Sequence, residues 1–468
     1  MIDFLLHTLY VLTILGIIFV ERKSPTEALM WVLVVVCLPY LGLLLYLVFG
    51  STVPIKITAW SRERKLKKQF VLDPYQQEAP VSDEQISDED REVIRFNSIY
   101  NNSRLTSYQD LELLTGGEAH YRRLFADLQA AQSCIYIEFY TIHHDVMGEA
   151  LVKTLAEKAK QGVKVLVLCD FIANISTPRS MFKPLTEAGG RVIRVKPYLT
   201  HYRSHRKIVV IDHKIAYIGG MNIGKQYANL APKKTPWRDT QVRLTGACTY
   251  ILENYFFSDF LCAEHKRNWK NSIDYVKSLE APQIHHSGHL CQFITGGVDN
   301  RKEGVKMCYL SMIRSAKRSI RIQSPYFVPD VSILEALKTA AAAGVKIEIM
   351  IPGIPSSFFL EPVTTYYAGQ LLEYGAKVYR YNGYIHAKTM IIDDELCCIG
   401  SVNMDMRSFQ VDDEVCGVFY PNLMVQQYSS IYDNDITNCR EYTWEQFKSR
   451  STFQRFKESI FLLFAPLM

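Results

Sequence analysis

A chain of 468 residues has length for two or three domains and ample material for a large core. Its hydrophobic content of 48% is ordinary for a folded protein, and a net charge of +5 is too mild to argue for a nucleic-acid partner. Eleven cysteines (Cys37, Cys134, Cys169, Cys248, Cys262, Cys291, Cys308, Cys397, Cys398, Cys416 and Cys439) are scattered without any C-x2-C pair. That pattern argues against a disulfide framework and a zinc site, and for reduced thiols serving as small core residues of a cytoplasmic globular part.

The chain opens on two apolar runs. Ile2–Val20 is 19 residues interrupted only by Asp3 and His7, and Ala28–Phe49 is 22 residues without a charge. Each approximates the ~20 residues that cross a bilayer core as a helix, so residues 1–50 are predicted to form a two-helix transmembrane hairpin, turning at "ERKSPTE" and kinked at Pro39. A signal peptide would carry positive charge ahead of its apolar run, and here the run begins at residue 2. The turn holds Arg22 and Lys23. The stretch after the second run holds six basic residues: Lys56, Arg62, Arg64, Lys65, Lys67 and Lys68. This asymmetry predicts a cell-membrane protein with its catalytic part in the cytoplasm, its juxtamembrane cations lying against anionic membrane lipids at roughly 1 kcal/mol each.

Residues 51–110 read as a basic juxtamembrane segment and linker, polar and acidic over 72–92. The chain then repeats itself. "CIYIEFY" at 134–140 is answered by "SIRIQSPYF" at 319–327, "LVKTLAEKAKQGVKVLVLCD" at 151–170 by "ILEALKTAAAAGVKIEIMIP" at 333–352, and "LTEAGGRVIRV" at 185–195 by "LLEYGAKVYRY" at 371–381. Strand, helix and strand alternate in each series, which predicts a duplicated α/β domain with helices covering a mostly parallel sheet. The expected lobes span 111–280 and 281–468.

Each series closes on the same punctuation. "HRKIVVIDHKIAYIGGMN" (205–222) and "HAKTMIIDDELCCIGSVN" (386–403) both spell H-x-K-x4-D-x6-G-(G/S)-x-N. On a strand, His205 and Lys207 share a face about 7 Å apart, whereas Asp212 takes the opposite parity or the turn. Gly219 and Gly220 allow close backbone approach, and Asn222 adds an amide; His386, Lys388, Asp393, Gly400, Ser401 and Asn403 repeat the set. Lysine and asparagine suit anionic oxygens. Two such halves meeting about a pseudo-twofold would flank one phosphoryl group with two histidines, one to attack and one to move the proton, and would need no metal or other cofactor.

These motifs resemble the phospholipase D superfamily, and within it the bacterial cardiolipin synthases. The resemblance runs over essentially the whole chain, including the anchor ending "PYLGLLLYLVFG", the "WRDTQVRLTG" stretch (237–246) and the apolar C-terminal tail. It implies an active site shared between the lobes, with His205 as nucleophile and His386 as general acid/base. Asp212 and Asp393 belong to the signature but are implied to be structural. The resemblance also implies an acidic partner for each histidine, Asp239 for His205 and Glu414 for His386, and a Ser401 hydroxyl on the phosphate from one side only. The implied reaction joins two phosphatidylglycerols into cardiolipin and glycerol through a phosphohistidine. A phospholipase D-type hydrolase would use the same motifs. A nuclease would have no use for the hairpin, and an inactive scaffold would show decay in one motif, whereas both are intact. The sequence is silent on oligomeric state.

Overall fold

The computed structural model describes residues 2–20, 25–51, 88–196, 203–230, 236–264, 268–279, 288–297, 303–354, 357–463 and 465. The basic residues on which the orientation argument rests, and the linker up to residue 87, lie outside that set.

The first apolar run is helical over Ile2–Leu15 and continues in wider π-type turns over Gly16–Val20. The second runs Pro25–Cys37, breaks at Leu38, resumes over Pro39–Leu45 and ends in π-type turns at Tyr46–Gly50. The break falls where proline requires it, since the ring disfavours a helical residue before it. Ile17, Trp31, Val35 and Tyr46 pack the two arms together. Among the described residues no helix is long and apolar enough to cross a membrane.

Two sheets form the body of the protein. The first has seven strands in the spatial order Leu111–Thr115, Thr240–Thr245, Ile215–Gly219, Ile208–Ile211, Cys134–Phe139, Lys164–Asp170, Arg191–Val195. In the second, of nine strands, the core order is His289–Gly296, Glu414–Phe419, Leu396–Gly400, Thr389–Ile392, Ser319–Gln323, Lys346–Pro352, Lys377–Tyr381. The second order repeats the first strand for strand, which is the duplication legible in the sequence. Thr106–Tyr108 and Cys439–Tyr442 are added at the two edges of the second sheet.

The sheets are mixed rather than mostly parallel. Within these two sheets, among the described residues, only the strands joined by helical crossovers, such as Cys134–Phe139 with Lys164–Asp170 and Ser319–Gln323 with Lys346–Pro352, run parallel. Each motif instead turns back on itself in a tight hairpin, Ile208–Ile211 against Ile215–Gly219 and Thr389–Ile392 against Leu396–Gly400. A two- or three-residue turn can join only antiparallel strands.

The sheets bury their inner faces on one another. One cluster unites Ile208, Val210, Ile218 and Leu244 of the first lobe with Ile391, Ile399, Val415 and Phe419 of the second. Helices cover each outer face, over Ile135, Val167 and Val209 in the first lobe and over Ile320, Ile349 and Met390 in the second. None of the eleven cysteines is in a disulfide and most are buried, which suits thiols used as small core residues.

Two short parallel bridges stitch the lobes together across the pseudo-twofold. Tyr384 and Ile385 pair with Trp237 and Arg238, and Ser204 bridges Asp413. In each case the chain just before one lobe's histidine runs beside the chain just before the other lobe's carboxylate. This register decides the geometry of the site.

Candidate active site

The bridging strands deliver each histidine to the opposite lobe's acid. The His205 amide donates to the Asp413 carbonyl at 2.9 Å, and its ring Nδ1 donates to Glu414 Oε1 at 2.8 Å. The His386 amide donates to the Arg238 carbonyl at 2.6 Å, and its Nδ1 donates to Asp239 Oδ2 at 2.6 Å. Asp239 and Glu414 occupy equivalent strands, as expected, but the expected partners are exchanged: Glu414 serves His205 and Asp239 serves His386. A carboxylate at the start of its own lobe's strand points across the interface, where the partner histidine enters. Fixing Nδ1–H in this way leaves Nε2 as the ring nitrogen free to react.

Each lysine folds back onto its own motif. Lys207 Nζ donates to the His205 carbonyl, and Lys388 Nζ to the His386 carbonyl. Both lysines are buried, at 0% and 1% exposure, which costs an ammonium much of its hydration. Burial therefore lowers Lys207 to about 8 and Lys388 to about 7. Burial, reinforced by Lys388 and Lys207, brings His386 down to about 3. The same causes, with Arg407 added, hold His205 well below the usual imidazole range. Burial pushes the Glu414 carboxyl up to about 8, with Lys207 and the Ser401 hydroxyl pulling the other way. Both histidines are thus neutral near pH 7 in the protein alone, as a nucleophilic imidazole must be.

The remaining signature residues divide into those that support the site and those that lie away from it. Ser401 was expected to touch phosphate; its hydroxyl instead donates to Glu414 Oε2 and accepts from the Val415 amide at 3.0 Å. The first copy has Gly220 at that place because a Cβ there would come within 2.2 Å of Asp239 Oδ1. Asn222 accepts from the Thr141 amide at 3.2 Å and donates to the Tyr227 hydroxyl at 2.9 Å. Asn403 is 6% exposed, with its Oδ1 unpartnered, and is the freer of the two amides.

Asp212 and Asp393 do not meet the histidines. Asp212 accepts from the amides of Gln132, Ser133 and Cys134, and Asp393 from those of Lys317, Arg318 and Ser319. Each sits in the left-handed region, at φ 52° and 56°, and anchors the start of its lobe's first repeat strand. The parity of the motif had placed them off the site.

Several contributors carried no signal in the motif. Tyr140 stands edge-on to His205 at 4.8 Å, and Trp237, Tyr227 and Tyr384 surround His386 at 5.1, 5.8 and 5.9 Å. Arg407 adds positive charge beside His205 while held by Asp412 at 2.9 and 3.0 Å. Arg206, between the two motif residues, donates to the Glu414 carbonyl at 3.1 Å and to Asp259, locking the lobes together behind the site. The aromatic walls and the burial of Lys207, Lys388 and His386 lower the local dielectric, so charges placed between them interact strongly.

Known proteins resemble this chain. A family model described as "Cardiolipin synthase, PLD-like domain" matches residues 124–231 and 309–436, and one described as "Phospholipase_D-nuclease N-terminal" matches residues 8–51. The chain is 35% identical to a cardiolipin synthase of Listeria welshimeri, over 99% of both chains. It is 34% identical to the major cardiolipin synthase ClsA of Bacillus subtilis, over 99% of this chain and 98% of that one. In fold it is similar to the phosphatidylserine synthase of Haemophilus influenzae, with a TM-score of 0.63 at 14% identity, covering 81% of this chain and all of that one.

The lysine environment predicts a pH dependence for anion binding. An anion between Lys207 and Lys388 restores the ammonium forms, so binding takes up protons wherever the free lysines are deprotonated. Sulfate, a dianion throughout the range, should bind progressively more weakly as the pH rises above the free Lys388 value of about 7. Ionisation of Glu414 acts in the same direction. The affinity should fall at least about tenfold between roughly pH 7 and 9, with net proton uptake in calorimetry. A flat profile would contradict the assignment of the lysines to the anion site.

Proposed function

The chain belongs to the cardiolipin synthases built from phospholipase D-like domains, a family of phosphatidyltransferases, and from that premise we propose that it joins two phosphatidylglycerols through a histidine-bound intermediate. The observation that carries this reading is the exchanged pairing, which leaves two Nε2 atoms available in one site between two lysines. His205 attacks phosphorus through Nε2 while its Nδ1 keeps its proton and donates it in a hydrogen bond to Glu414. The bond from phosphorus to the glycerol oxygen breaks, and His386, protonated as the substrate's negative charge raises its basicity, gives its Nε2 proton to the departing glycerol. His386 then takes the proton from the glycerol hydroxyl of a second phosphatidylglycerol. That oxygen attacks phosphorus, His205 leaves, and cardiolipin is formed. Lys207, Lys388 and Asn403 hold the charge that builds on the phosphoryl oxygens.

The N-terminal arms are proposed as the membrane hairpin. Their apolar side chains, among them Leu12, Phe19, Leu29 and Leu33, are exposed along both helices rather than gathered into the body. An anchor of this kind keeps enzyme and lipid on one surface, which raises the local concentration of substrate. The excess of Lys and Arg after the second run supports a cytoplasmic catalytic part.

The whole protein in phosphatidylglycerol vesicles should release glycerol and form cardiolipin, whereas phosphatidic acid as the main product would identify water as the acceptor. The two carboxylates should separate by leaving group. Asp239→Asn weakens the acid that protonates the alcohol, so a phosphatidyl ester of p-nitrophenol, which needs no acid, should restore most of its turnover. Glu414→Gln weakens the nucleophile and should stay at least about tenfold slow on both substrates, a loss of ~1.4 kcal/mol in transition-state stabilisation. Equal rescue of the two variants would overturn the assignment of His205 as nucleophile.

A further inference from the structure

The second lobe ends in helix Thr452–Leu462, started by a capping box at Ser451 and Gln454. Its inner face lies on the body: Phe461 and Leu462 pack with Val328, Val363 and Ala465. Its outer face is also apolar. Phe453, Phe456, Ile460 and, just beyond the helix, Leu463 are exposed, at 75%, 61%, 41% and 71%. At 100° per residue the spacing i, i+3, i+7, i+10 places these four on one stripe roughly 80° wide.

The stripe is continued by a neighbouring loop. Phe358 and Phe359 are exposed at 66% and 57%, and their rings meet Phe461 at 5.6 and 5.2 Å. Lys457 lies over the Phe358 ring at 3.8 Å on one flank of the stripe, and the exposed Arg455 lies toward the other. The helix has one carboxylate, Glu458, and it is buried and turned inward onto Arg450. The loop also reaches the site: Ser357 and Leu360, on either side of the phenylalanine pair, line a cleft with Tyr326 and Tyr384, and the Tyr384 ring stacks on His386.

We propose that this aromatic stripe, with Phe358 and Phe359, is a membrane-docking surface that enters an anionic leaflet and holds the His386 side of the active site against the lipid from which the second substrate comes. An amphipathic helix with aromatic residues on one face and cations beside them is suited to the headgroup boundary. Its charge fits anionic lipid and opposes a second copy of the same surface, since two such faces would bring only cations together. The inference rests on the proposed lipid substrate for its purpose but not for its geometry. The hairpin tethers the chain, and the stripe fixes which way the cleft faces.

The test uses the full chain in phosphatidylglycerol vesicles. Phe456→Trp adds fluorescence that acyl-brominated phosphatidylglycerol should quench by about half or more, given burial of the apolar face ~5–10 Å into the boundary. Absence of quenching overturns the proposal, as would quenching that appears only when the protein is diluted to a monomer, which would mean a second copy covers the stripe. The triple variant Phe453→Ser, Phe456→Ser, Ile460→Ser should lose at least about fivefold in turnover on vesicles, where docking orients the cleft toward the lipid. It should keep its turnover on dispersed short-chain phosphatidylglycerol, which shows that the site has folded. Equal rates for variant and parent on vesicles would overturn the proposal. If the unaltered chain makes no cardiolipin yet the tryptophan is quenched, docking stands and the proposed reaction falls.

Discussion

The structure depends on two hydrogen bonds that cross between lobes, His205 to Glu414 and His386 to Asp239. Because each lobe supplies a histidine to the other lobe's carboxylate, neither lobe contains a complete catalytic unit. Tautomer, ring orientation and basicity of each histidine are set only when the lobes dock. The bridging strands at Tyr384–Ile385 and at Ser204 then act as registers, since a slip of one residue would turn each histidine away from its partner. The buried arginines serve the same end: Arg206 spans to Glu414 and Asp259, and Arg238 is held by Asp435 at 2.7 and 3.0 Å. Breaking a buried pair of this kind by removing one partner costs about 3–5 kcal/mol. Interlobe packing and catalytic geometry are therefore one constraint.

Charge follows from the same burial. Two lysines, two imidazoles and two acids share a space walled by Tyr140, Trp237, Tyr227 and Tyr384, so protons distribute to keep net charge low. In the proposed reaction, lysines lowered toward neutrality regain their protons as a phosphodiester arrives, which couples substrate binding to the assembly of the charged site. The proposed mechanism needs one neutral and one protonated histidine, and Arg407, beside His205, favours the neutral ring there.

Much of this was legible in the sequence. The repeated strands and motifs gave the duplication, and the period of the motif put Asp212 and Asp393 off the site, where they hold backbone amides at the strand starts. The pairing of acids with histidines was not legible. Spacing along one chain suggests partners within one lobe, and only the three-dimensional crossing reveals the exchange. Ser401 was misread for a related reason: a hydroxyl in a glycine-rich turn suits phosphate, and nothing in the sequence shows that a longer acid, Glu414 rather than Asp239, stands behind it and accepts its proton. The sheets were expected to be mostly parallel because helix–strand alternation dominates the first half of each repeat. The motif hairpins, antiparallel by necessity, make up the rest.

The exchanged pairing itself can be observed directly. In isotope-labelled protein, the hydrogen-bonded Nδ1–H resonances of His205 and His386 can be assigned by removing each ring in turn. Glu414→Gln should displace the His205 resonance and leave that of His386 in place, and Asp239→Asn should do the reverse. Displacement of the His386 resonance by Glu414→Gln would contradict a site shared in this way and return each acid to the histidine of its own lobe.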